Sequence, residues 1–190
     1  RGVPTGFEEL DELTNGLQKG TLVVLAARPG VGKTSFAMNI ALHAAVEEGK
    51  KVAIFALEMS REELMQRALA SLARVDASHI LNGSMDQEEW KRIWTAEKKL
   101  AQSSVYLSES TQVTPLDILS KCRKLKVKEG LDLIVIDYLQ LMTMGGKSAE
   151  NITQEVTKMT RILKTTAKEL KVPILLLSQL SRLPDQRQGD

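Results

Sequence analysis

"AARPGVGKT", residues 26–34, is the stretch on which the reading of this chain turns. From Ala27 onward it fits the phosphate-loop pattern G-x-x-x-x-G-K-[ST] at Gly32, Lys33 and Thr34. It breaks the pattern at the first position, where Ala27 stands in place of glycine. What flanks it gives the match its weight. Ahead lies "TLVVLAA", residues 21–27, a short apolar, β-rich run that reads as a buried strand. Behind it, "SFAMNIALHAAVEEG" sets Phe36, Ile40 and Ala44 on one stripe and stops at Gly49, the pattern of a helix with a glycine stop. A loop between a strand and a helix N-terminus aims backbone N–H groups at phosphate, and the helix dipole favours the negative charge. Gly30 and Gly32 remove side chains where backbone must approach oxygen, Lys33 brings a positive charge to the outer phosphates, and Thr34 offers a hydroxyl to magnesium. Alanine is the smallest replacement for glycine, and Ala27 sits at the strand end, away from the phosphates. The plain alternative is an ordinary strand-to-helix turn with a solvated lysine. The strand–loop–helix context favours a phosphate site made of Ala27, Arg28, Pro29, Gly30, Val31, Gly32, Lys33, Thr34 and Ser35.

Outward from the loop, helical and strand patterns alternate. "KVAIFALEM" reads as a second buried strand, and "SREELMQRALASLARV" as a helix opened by a serine cap with Glu63 three residues on. "MDQEEWKRIWTAEKKLAQ" is helical, with Trp90 and Trp94 four apart on one face and read as a packing pair. "SVYLSE" is a short strand; "TPLDILSKCRKLKVKEG" opens a helix with Thr114 before Pro115. "LDLIVID" is a third long buried strand, "MTMGGKSAE" a polar, mobile loop, "ITQEVTKMTRILKTTAKELK" a long amphipathic helix and "VPILLLSQ" a last strand. Strands apolar on both faces, alternating with helices, specify an α/β fold with a mainly parallel central sheet covered by helices on both faces.

Composition sets few limits. The 190 residues suffice for one domain with a full core, and the hydrophobic fraction of 43% and charged fraction of 26% are ordinary for a globular chain. A net charge of +2 neither argues for nucleic acid nor excludes a local binding groove. The single cysteine, Cys122, rules out an intrachain disulfide and any zinc site built on several cysteines. No apolar run approaches a membrane span, and no signal peptide is visible.

In parallel sheets ligands sit at the carboxyl ends of the strands, and three further segments place polar residues there. Asp137 ends the apolar run of "LIVID", an expensive place for a carboxylate without a partner; it is positioned to hold magnesium through water, or to act as a helix cap or structural ion pair. Glu58 follows "FAL" and reads either as a general base or as an exposed strand-end glutamate. Ser178 and Gln179 end the last strand; an amide there can bond a γ-phosphate or water, or simply leave the sheet.

Taken together and in order, "TGFEELDELTNGLQKG", "ARPGVGKT", "FALEM", "IDYLQL" and "LLLSQLSR" resemble the RecA-fold motor domain of DnaB-type bacterial replicative helicases over nearly the whole chain. The alanine at the head of the loop is that family's own variant. The resemblance implies a P-loop ATPase using ATP and Mg²⁺, with Lys33 as phosphate lysine, Thr34 as magnesium hydroxyl, Asp137 as the magnesium-linked aspartate, Glu58 as catalytic glutamate and Gln179 coupling the γ-phosphate to DNA loops. It further implies a homohexamer on single-stranded DNA in the bacterial cytoplasm, at the nucleoid, with primase and helicase loader as partners of the full protein. Gly145, Gly146 and Lys147 match a region facing the central channel; Arg161, Lys164 and Lys168 on the long helix are read as a solvated face.

The family also carries an amino-terminal, primase-binding domain and further downstream strands with a major DNA loop and an arginine finger. Residues 1–190 are therefore expected to be an incomplete helicase ATPase domain, weakly active alone, and neither Arg182 nor Arg187 stands at the finger's motif. A recombinase or clock-protein relative of the same fold, a small-molecule kinase and an ATP-switched binding module such as a helicase loader are the competing readings. The first would show other residues at "IDYLQL" and "LSQLSR"; the second would need an arginine-rich lid.

Overall fold

The computed structural model describes residues 1–27, 33–57, 59–108, 113–137 and 149–179; side chains of Ala27, Lys33, Thr34, Ala149, Glu150, Ile152 and Gln179 are outside that description. Seven α-helices and five strands alternate among these residues: α1 (Glu8–Thr14), β1 (Leu22–Ala27), α2 (Lys33–Leu42), β2 (Lys51–Ala56), α3 (Arg61–Ala73), α4 (Ala77–Asn82), α5 (Gln87–Gln102), β3 (Ser104–Leu107), α6 (Pro115–Lys128), β4 (Leu133–Asp137), α7 (Ala149–Leu170) and β5 (Ile174–Gln179). The strands form one sheet in the order β1-β5-β4-β2-β3, and every pairing is parallel, as the alternating pattern predicts.

Alternate residues of each strand divide between two cores. Val52, Ile54, Leu133, Val135, Leu175 and Leu177 face α2 and its neighbours. Ala53, Phe55, Ile134, Ile136, Ile174 and Leu176 face α6 and α7. α7 meets the second core with Met159, Leu163, Ala167 and Leu170, spaced by three and four as one helix face requires. Each fully buried leucine or isoleucine here contributes about 1.5–3 kcal/mol. Cys122 lies in this core, where burial pushes its thiol up to about 12; it packs as a small hydrophobe. Across the surface, Arg123 on α6 grips Glu169 on α7 through both guanidinium edges, at 2.7–3.0 Å, a half-exposed pair that adds little stability.

Helix starts follow local chemistry. Ser60 accepts from the Glu63 N–H, as its spacing predicts. Complete reciprocal capping boxes close α5, between Asp86 and Glu89, and α6, between Thr114 and Asp117 with Pro115 next in line. After Leu42 the α2 helix widens into a π-helical turn, His43–Glu47, and ends before Gly49 at φ +65°.

Two expectations are corrected. β1 is not a buried strand: among the described residues it pairs only with β5, lies at the sheet's edge, and leaves Val24 49% exposed. Trp90 and Trp94 are not core packing. They point outward, 55% and 60% exposed, with the Lys98 ammonium 3.6 Å over the Trp94 ring. Behind them α3, α4 and α5 share a small core of their own around Ala73, Val75, Ile93 and Ala96.

Candidate nucleotide site

Parallel strands end on one side of a sheet, so the register decides which strand-end residues are neighbours. Ala27 at the end of β1 pairs with Gln179 at the end of β5. One strand over, Leu177 pairs with Asp137, the last residue of β4. Asp137 in turn pairs with Ala56 on β2, and its carbonyl accepts a 2.7 Å hydrogen bond from the Leu57 N–H. The residue after Leu57 is Glu58. With neighbouring strands about 4.8 Å apart, the ends of β1 and β4 are separated by roughly 10 Å. The four strand ends singled out in the sequence thus lie side by side along one edge.

β1 leads into this edge and α2 leads out of it, beginning at Lys33. Lys33, Thr34 and Ser35 therefore form the first turn, whose backbone N–H groups have no partner within a helix and whose dipole end favours an anion. Ser35 is exposed there, and Phe36, Ala37, Met38 and Ile40 hold the helix to its neighbours. The loop itself, Arg28, Pro29, Gly30, Val31 and Gly32, lies outside the described residues, as do Glu58, the channel-facing Gly145, Gly146 and Lys147, and Arg182 and Arg187.

Asp137 is 6% exposed, the one buried acidic residue in a strand among the described residues. A carboxylate held that deep is costly unless a cation or hydrogen bonds compensate it. Its place fits a magnesium ion carried by phosphates at the head of α2, because Mg²⁺ takes oxygen ligands, keeps several waters and uses few protein groups. Ser178, half-buried, pairs with Ala26 one step before the strand end. Arg161, Lys164 and Lys168 are exposed on α7, as a solvated face should be.

A feature not assigned from sequence adjoins the site. Residues 5–11 fold back on themselves, and Phe7 lays its ring against Phe36 in α2, with centroids 4.6 Å apart and planes 31° from parallel. The signal was present as Thr5 and Asp11 bracketing an aromatic in "TGFEELD", but contacts with a helix some way down the chain leave no local pattern.

Comparison with known proteins places this geometry. The model of the DnaB-like helicase C-terminal domain matches residues 2–190. The replicative DNA helicase DnaB of Geobacillus stearothermophilus is 46% identical over 187 residues, which is 98% of this chain and 41% of that protein. The replicative DNA helicase DnaC of Bacillus subtilis (strain 168) is 44% identical over the same shares of both chains. Residues 1–190 thus span about two fifths of the length of these relatives. Among solved structures, an isolated ATPase domain superposes with a TM-score of 0.87 at 33% identity, covering 99% of this chain and 67% of that one. A DnaB-like replicative helicase described with its primase interactions superposes with the same TM-score of 0.87, at 33% identity over 100% of this chain and 46% of that one. With its parallel sheet, its loop at the head of α2 and these relatives, the chain belongs to the DnaB-like helicase C-terminal domain family.

Proposed function

We propose that this chain is the motor domain of a replicative DNA helicase, which binds ATP with magnesium at the carboxyl edge of its sheet and couples hydrolysis at subunit interfaces to movement along single-stranded DNA and duplex unwinding. The observation that carries the reading is the alignment of four strand ends, Ala27, Gln179, Asp137 and the residue before Glu58, beside the first turn of α2. The β- and γ-phosphates lie against the backbone of residues 28–34, with the Lys33 ammonium neutralising them. Thr34 and, through water, Asp137 hold the magnesium ion, which when bound neutralises charge on the phosphates. Glu58, next to the Asp137 strand end, takes a proton from the water that attacks the γ-phosphate. Gln179 hydrogen-bonds the γ-phosphate and reports its loss to the DNA-binding segments, with Gly145, Gly146 and Lys147 on the DNA side. An arginine donated by a neighbouring subunit completes the site, so assembly into a homohexamer is part of the chemistry. Primase and loader are partners of the longer protein in the bacterial cytoplasm; no described helix is long and apolar enough to cross a membrane.

A chain extended to the length of its relatives tests the proposal. Multiple-turnover ATP hydrolysis stimulated by single-stranded DNA, with strand separation, is the expected result. One turnover or none, with nucleotide only gating a protein contact, would make the domain a switch of the helicase-loader kind.

A further inference from the structure

We infer that the segment 5–11 is a strap that positions the first turn of α2, and with it Lys33 and Thr34, for nucleotide; this rests on the nucleotide reading above. The strap is tied by one carboxylate. Asp11 Oδ1 accepts from both the backbone N–H and the hydroxyl of Thr5, each at 2.8 Å, and Oδ2 accepts from the Gly6 N–H at 3.3 Å. Thr5 Oγ1 accepts from the Phe7 N–H at 3.1 Å, and Thr5 itself is 1% exposed. The knot presents two consecutive residues to one face of α2 and its π-helical extension. Phe7 stacks on Phe36. Gly6, at φ +88°, lies flush on the His43 ring, so that a Cβ there would sit 2.8 Å from the imidazole. Phe36 and His43 are seven residues apart, two helical turns on one face.

Phe36 follows Lys33 by three residues and so shares its turn. The buried face of α2, Ala37, Ile40 and Ala41, is fixed by the sheet, and a ten-residue helix has little stability of its own. The strap adds a hold on another side, close to the phosphate end. A shift of about 1 Å in groups that bind a reacting phosphate is enough to lose much of their effect. Phe7 is a positioning residue on this account; it is 37% exposed, so its removal leaves the core intact.

The experiment uses the full-length protein and a fluorescent ADP analogue, with the melting temperature of the nucleotide-free protein measured beside it. Phe7→Ala should weaken binding roughly 3–10-fold, the range of an aromatic pair, with a nearly unchanged melting temperature; Phe7→Tyr should restore parental binding. Phe36→Ala should match it, and the double variant should bind no worse than either single one. Parental affinity in Phe7→Ala with a lowered melting temperature would make the strap merely structural. Losses that multiply in the double variant would equally overturn the inference. Lys33→Ala is the control that separates the two claims: parental affinity there would remove the nucleotide reading, and the strap's role with it.

Discussion

The carboxyl edge of the sheet and the helical outcrop of α3, α4 and α5 are built on opposite logic. At the edge, apolar strands buried on both faces stop abruptly at polar residues, Asp137 on β4 and Ser178 and Gln179 on β5. The core beneath is so extensive that one buried carboxylate is tolerated at its rim. The outcrop has a core of four buried residues and closes itself with polar contacts: the capping box of Asp86 with Glu89 and a 2.9 Å bond between His79 Nδ1 and Glu89. The difference teaches where chemistry and stability separate. Changes at the edge should alter nucleotide handling with the fold retained, and changes in the outcrop should alter stability with nucleotide handling retained.

Ranked by effect on nucleotide handling, the first test is Glu58→Gln in a complete hexamer. The isostere keeps the shape and removes the basic oxygen, so hydrolysis should slow by roughly 10²-fold or more while binding stays near parental. Steady-state turnover equal to the parent would reassign Glu58 to structure. Lys33→Ala should cost on the order of 10²-fold in ATP affinity by deleting the charge facing the outer phosphates, as read by equilibrium titration. Asp137→Asn should raise the magnesium concentration needed for nucleotide binding by about 10-fold, since a full charge near the metal is lost. A variant that titrates magnesium like the parent would place Asp137 away from the ion.

The outcrop supplies the contrary cases. Ile93→Ala, at 5% exposure, should lower unfolding free energy by roughly 2–5 kcal/mol and leave the ADP-analogue affinity unchanged. A large loss of affinity would break the separation between the regions. The smallest effect concerns pH. Hydrogen bonding and charge from Glu89, then charge from Asp76 and Asp86, raise the His79 pKa above its ordinary 6.5. A raised histidine pKa gives stabilisation that is complete below the ordinary value and fades as pH rises through the folded one. Hydrogen exchange in α4, corrected for intrinsic rates, should therefore quicken across that window, and His79→Gln should lose the dependence.

The edge was legible because a polar residue that ends an apolar run is a local signal: Asp137 and Gln179 stand at strand ends, and β4, β5 and β2 lie where their runs are. The serine cap at Ser60 was legible for the same reason. β1 misled because its composition suits a central strand, whereas its place at the edge depends on which strands flank it. α1 was missed because its seven residues bury none, its N-cap Phe7 makes no side-chain cap, and its acids show no apolar period. Trp90 and Trp94 misled because aromatic spacing on a helix does not reveal which face meets the core. The π-helical turn after Leu42 and the strap on α2 arise from contacts far apart in sequence.

The central claim is that nucleotide sits on the carboxyl edge, at the head of α2. A crystal structure of the chain with magnesium and a non-hydrolysable ATP analogue tests it directly. The expected result has the phosphates against the first turn at Lys33 and Thr34, the ion on the Asp137 side, and Gln179 and Glu58 flanking the γ-phosphate. Phosphates bound elsewhere, or an ion remote from Asp137 with the analogue at full occupancy, would contradict the account.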